Sequence, residues 1–181
     1  ALRAKTQFLA GRNQAALEDL TTLAGLDAER TIDPESAQAY QQRGGHLRRL
    51  AAELEGTAQA RVLDLATDQL RKALKRGGPS AALFDNLGAA LELQGRLAEA
   101  IEAYSQGLAQ PEQHAKEHVK FYVKRGWACT KLEDQYKKAL ADFSQAIRLD
   151  PRDAEACSGV SYALACLKVP AVGAAAGKNK I

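Results

Sequence analysis

The sequence has no methionine, one tryptophan and few aromatic residues, which make up 6% of its 181 positions. Sheets draw on aromatic and β-branched side chains, so this poverty argues against an all-β fold. Cysteine is scarce and odd in number: Cys129, Cys157 and Cys166 sit inside apolar helical patterns. No disulfide framework is indicated. The three read as small core residues of a chain kept in a reducing compartment, the cytoplasm. Charge of one sign is also lacking, because 25 Lys+Arg against 22 Asp+Glu leave a net charge of +3. That excess is too small to be a nucleic-acid footprint, so any electrostatic recognition must be local. No run approaches the roughly 18 to 20 apolar residues of a membrane span. Glu155, Lys168 and Pro170 break the most apolar tract, and a membrane partner is not expected. The missing initiator predicts a cut or processed chain. Arg3, Lys5 and Arg12 precede the first acid, Glu18, a faint likeness to a transit peptide without a secretory apolar segment.

What is abundant is alanine, which fills roughly a fifth of the chain and suits close helix packing. A period follows. From Phe84 the sequence runs Phe84-x-x-Leu87-Gly88-x-x-Leu91, then Gly95, Ala100-x-x-x-Tyr104, Leu108 and Pro111. From Tyr122 it runs Tyr122-x-x-Arg125-Gly126-x-x-Cys129, then Ala139-x-x-x-Phe143, Ala146 and Asp150-Pro151, with one extra residue between the halves. An upstream copy reads Tyr40-x-x-Arg43-Gly44-x-x-Leu47, Ala66-x-x-x-Leu70, Ala73 and Pro79. Its Gly-to-Ala interval is longer, which predicts two overlong helices.

This pattern resembles the tetratricopeptide repeat, a helix–turn–helix unit of about 34 residues. The spacing has a physical basis: Gly88 admits the partner helix, Ala100 lies where the two helices cross, and larger residues fill the gaps between neighbours. At the N-terminus only a second half is legible, in Gly11, Ala16, Leu20 and Leu23, so the chain reads as starting mid-helix. At the other end Ala154, Cys157, Val160, Ser161 and Leu164 form one face of a capping helix. The expected helices are a stub at 2–10, then 13–26, 34–54, 57–76, 80–94, 97–109, 113–133, 135–149 and 153–168. Asp33-Pro34 and Asp150-Pro151 read as cap-and-first-turn signals, Ser80 as a cap, and Gly77-Gly78 as a helix stop. The expectation is an all-α solenoid of stacked antiparallel helix pairs, about three and a half units in one domain over 1–168, with a disordered tail over 169–181.

The resemblance implies that the first helix of each unit lines a concave face that binds peptide or protein segments. On the helix expected at 113–133, Lys116, Lys120, Lys124, Trp127 and Lys131 recur in steps of four and three along one face. Four ammonium groups beside an indole suit an acidic ligand, whose carboxylates would accept charge-assisted hydrogen bonds. The competing reading leaves the lysines solvated and Trp127 packed between repeats. Some tetratricopeptide proteins clamp a chaperone's C-terminal carboxylate, and the resemblance puts Asn86 at the clamp asparagine, Lys120 at a clamp lysine, and Lys124 where an arginine would stand. Gln41 and Gly45 occupy the positions of a missing lysine and asparagine, so that half of the clamp is absent. Tyr162 extends the groove onto the last helix.

Other chemistry is poorly represented. His114-Ala115-Lys116-Glu117-His118 spells a zinc-protease string, but His46 lies in another unit and no third ligand accompanies it. Gly77-Gly78-Pro79-Ser80 lacks the lysine of a phosphate loop. Arg48, Arg49, Arg71, Lys72, Lys75 and Arg76 read as solvated faces and helix-end charges. The sequence therefore points to a non-enzymatic interaction module without a cofactor, or else to a self-assembling scaffold or a repeat segment of a larger protein.

Overall fold

The computed structural model describes residues 36–111, 115–132 and 134–168, apart from the side chains of Ala115, Lys116 and Lys168. Within these the chain is helical, with no strand among the described residues. The helices are α1 (Ala37–Ala51), α2 (Gly56–Gly77), α3 (Ala81–Leu93), α4 (Leu97–Leu108), α5 (Ala115–Thr130), α6 (Tyr136–Leu149) and α7 (Ala154–Lys168). They fall into two compact units divided between Glu112 and Gln113. In the first, α1 packs on α2 and α3 on α4, and α3 also meets α1 and α2. In the second, α5 packs on α6, and α7 lies against both. The expected stacking of helix pairs is thus present in each unit. The expected elements at 2–10 and 13–26, the Asp33-Pro34 signal and the tail 169–181 lie outside the described residues. No described helix is long and apolar enough to cross a membrane.

Each pair is locked by the same device. The glycine of the first helix lacks a Cβ, and a large side chain of the second helix occupies that space: Leu70 over Gly44, Tyr104 over Gly88 and Phe143 over Gly126. The three large side chains are fully buried, and Ala66, Ala100 and Ala139 at the crossings are equally inaccessible. Burying such groups is the main stabilising term, on the order of 1.5 to 3 kcal/mol for each large side chain. A methyl group at Gly126 would lie 2.7 Å from the Phe143 ring.

Local signals set the helix ends. Ser80 accepts a hydrogen bond from the Leu83 N–H, as its sequence position predicts, and Ser36 does the same for Ala39. Gly78 stops α2 at φ 77°, where a side chain would be strained. Two expectations need correction. The longer interval in the first pair is carried mainly by α2, with 22 residues, whereas α1 has 15 and breaks at Ala52. At the last turn Pro151 stays outside the helix, and Asp153, not Asp150, accepts from the Ala156 N–H that opens α7. Only Cys129 is a core cysteine; Cys157 is exposed and Cys166 half-buried, and all three are free thiols.

The two positions where the repeat pattern expects an apolar residue but the chain has arginine are also explained. Arg125 donates from Nε and an Nη atom to the two carboxylate oxygens of Asp142, at 2.8 and 2.6 Å, and Asp142 is buried. This bidentate pair satisfies both charges in place of apolar contact. The Asp142 hydrogen bond holds the guanidinium above its ordinary pKa. Arg43 lies over the Tyr40 ring, 4.4 Å from its centroid.

The packing sets opposite expectations for two glycines. Gly126→Ala should cost about 1 to 3 kcal/mol in urea unfolding, because the buried Phe143 has nowhere to move. Gly45→Ala, whose new methyl would meet nothing closer than 3.6 Å, should stabilise the chain by roughly 0.5 to 1 kcal/mol. A further prediction concerns pH. Tyr104 donates to Glu92 at 3.0 Å, and burial, followed by the Glu92 charge, pushes its phenol well above the ordinary value. The unfolded chain releases that proton near pH 10 while the folded chain keeps it. The contribution is therefore complete below about pH 10 and is lost as pH rises further. Unfolding curves for Tyr104→Phe should show a shallower alkaline decline than those of the parent.

Candidate functional site

The lysine stripe lies on α5. Lys120 is exposed and Lys124 half-buried; Lys131 is exposed in the turn just after Thr130, and Lys116 is in the first turn. The structure therefore puts Lys120, Lys124 and Trp127 on the helix and Lys131 one residue beyond it. Trp127 is half-buried and belongs to the packing of its unit. Its ring meets the Phe143 ring edge-on, with centroids 5.2 Å apart, and the Tyr162 ring at 5.7 Å. It also covers a core of Val119, Val123, Ala146 and Ala156. Tyr162, by contrast, is 47% exposed. Trp127 and Tyr162 are thus brought together, α5 against α7.

Asn86 is in the other unit, on α3. Its Oδ1 accepts from Arg48 Nε of α1 at 3.2 Å, and its Nδ2 donates to the Ala82 carbonyl at 3.0 Å. The carboxamide is held in one orientation, with one N–H and one lone pair left over. Beside it runs a groove of about 460 Å³ along α1, lined by Gln38, Gln41, Gln42, Gly45, His46 and Arg49 with Asn86. The Gln42 Oε1 is buried there without a hydrogen-bond partner among the described residues.

Of these residues Gln38 and Gln42 escaped sequence reasoning, and a register projection finds both. Tyr40-x-x-Arg43-Gly44 on α1 and Tyr122-x-x-Arg125-Gly126 on α5 superpose residue for residue. In that register Gln38, Gln42, Gly45 and Arg49 correspond to Lys120, Lys124, Trp127 and Lys131. The same face is rich in amides on α1 and in ammonium groups on α5.

Nothing described assembles a metal centre: no group of three or more His, Cys, Asp or Glu side chains could share an ion among the described residues. His118 lies on α5, whereas His114 is outside the described residues.

Comparison with known proteins identifies the class. Residues 119–153 match the family model of the tetratricopeptide repeat. Among solved structures the chain is similar to TTC0263, a thermophilic tetratricopeptide protein of Thermus thermophilus. The identity is 21% and the TM-score 0.64, over 90% of this chain and 78% of that one. It is also similar to YrrB, described as a tetratricopeptide protein with an unusual peptide-binding site. That match has 20% identity and a TM-score of 0.56, over 91% of this chain and 74% of that one. No curated protein matches the sequence significantly. The chain is a tetratricopeptide-like repeat protein in fold, with one repeat recognised by the family model itself.

Trp127→Ala should cost about 2 to 4 kcal/mol, because it removes a ring packed on three helices. Tyr162→Ala should alter the emission of this single tryptophan while changing the unfolding midpoint little.

Proposed function

We propose that the chain is a non-enzymatic interaction module that holds a protein or peptide segment on the first helices of its repeats, with an acidic ligand on the α5 face. The observation that supports this most directly is the groove along α1. It is formed by the helix positions that on α5 carry Lys120, Lys124, Trp127 and Lys131. Carboxylates of the ligand would accept from the ammonium groups, and the exposed edge of Tyr162 beside Trp127 would cover its apolar part. Asn86, held by Arg48, would direct its remaining N–H and lone pair to a segment lying on the first unit. Lys124 in place of an arginine gives a point charge without a planar fork, which suits dispersed acids better than one fixed terminal carboxylate. The three free thiols support placing the module in the reducing cytoplasm.

The test is a titration with an acidic peptide, such as a fluorescein-labelled hexaglutamate, and its hexaglutamine counterpart. The acidic peptide should bind at least tenfold tighter at low salt, and raising salt or introducing Lys120→Ala/Lys124→Ala should remove most of that difference. Equal affinity for the two peptides, unaffected by salt and by the substitutions, would defeat the acidic part of the proposal.

A further inference from the structure

The groove along α1 contains an acceptor that an acidic ligand cannot satisfy. Gln42 lines this groove, and its Oε1 is buried without a hydrogen-bond partner among the described residues. A buried acceptor left unpaired costs more than a paired one returns, so this atom calls for a donor. An ionised carboxylate has none to give. Three residues after Gln42, on the same helix face, comes Gly45, at the register position where α5 has Trp127. The missing side chain leaves room that Asn86 of α3 enters: its Oδ1, Cγ and Nδ2 lie 3.6, 3.8 and 3.8 Å from the place a Cβ would take. The carboxamide therefore lies flat on Gly45. Arg48 and the Ala82 carbonyl fix it there, with one N–H and one lone pair unused. A fixed amide and an unpartnered amide oxygen thus border one groove, about a turn apart on α1. Four of its seven lining residues carry carboxamides and none carries a carboxylate, so the lining favours neutral polar chemistry.

Resting on the proposal that the first helices hold a segment, we infer that the α1 groove is a subsite for a primary carboxamide, the side chain of a glutamine or asparagine of that segment. A primary carboxamide carries its N–H and C=O at one end, so it donates to Gln42 Oε1 and accepts from the unused N–H of Asn86 together. A single trans peptide group points its N–H and C=O in opposite directions and serves one of the two. A carboxylate answers Asn86 and Arg49, which lines the groove two turns beyond Gln42, but sets its lone pairs against the Gln42 oxygen. An ammonium group donates to Gln42, accepts nothing from Asn86 and is repelled by Arg48 and Arg49. Turning the Gln42 carboxamide end for end exchanges its oxygen for an N–H, and a ligand carboxamide matches that orientation too. The position two residues after the repeat's aromatic is Gln42 on α1, Asn86 on α3 and Lys124 on α5. The first unit therefore reads amide where the second reads charge.

The test titrates the isotope-labelled full chain with capped hexaglutamine and follows the side-chain NH2 resonances of Gln42 and Asn86, with hexaglutamate and a glycine–serine hexapeptide as comparators. Hexaglutamine should shift both resonances at low and high salt alike, and equally in Lys120→Ala/Lys124→Ala, which separates this subsite from the α5 face. Gln42→Met keeps the bulk of the side chain but removes its donor and acceptor, and Gly45→Leu fills the floor of the groove. Each should weaken hexaglutamine binding about fivefold or more, with circular dichroism to show that both variants remain folded. The glycine–serine peptide, which has the same main chain, and hexaglutamate at high salt should leave the two resonances in place. Equal shifts with the glycine–serine peptide would assign the groove to the main chain and overturn the inference. So would larger shifts with hexaglutamate at high salt, hexaglutamine binding indifferent to both Gln42→Met and Gly45→Leu, or no response to hexaglutamine at all. In each of these cases, salt-dependent hexaglutamate binding that is lost in Lys120→Ala/Lys124→Ala leaves the α5 proposal standing.

Discussion

A missing methyl group sets the architecture of this molecule. Where Gly44, Gly88 and Gly126 lack a Cβ, the second helix of each pair can approach closely enough for Leu70, Tyr104 or Phe143 to be buried. The alanines at the crossings, the turn lengths and the burial of Leu47, Leu63 and Leu83 all presuppose that close approach. The side chains at Gln42 and Lys124 lie off that contact. That is why polar groups as different as Gln42 and Lys124 can share one register position.

The chain tolerates a charged substitute inside this arrangement because the charge is met in kind. Arg125 takes a position where a leucine would contribute apolar contact, and its fork finds Asp142 on the facing helix. Removing either partner alone would strand the other in a poorly solvated place, so the two residues act as one unit. Cys129 shares this neighbourhood: burial, and then the Asp142 charge, push its thiol above the ordinary value and keep it protonated and unreactive.

Much of the fold was legible because it is written in short-range spacing. Phe84 to Tyr104 and Tyr122 to Phe143 each define a pair, and Ser80 and Gly78 end helices by local chemistry alone. What escaped depended on groups distant in sequence or on competition between nearby signals. Asp153 outcompeted Asp150 because Pro151 turned the chain before the helix began. Cys157 looked like a core residue because its apolar face is real, but among the described residues it is exposed. Asn86 was singled out by the family resemblance, whereas the Arg48 that orients it lies 38 residues away and left no pattern to read. Gln38 and Gln42 of the α1 groove were missed because glutamine carries no conspicuous chemistry until its helix face is aligned with that of α5.

Phe143 has one more property. Its ring fills the space over Gly126 on α5 and also that over Gly159 on α7. One rigid wedge therefore gauges the separation of both helices at once. A displacement of either helix is felt by the other through a part that cannot compress. A shift of α5 therefore cannot be absorbed at Phe143 without a matching adjustment at Gly159 on α7.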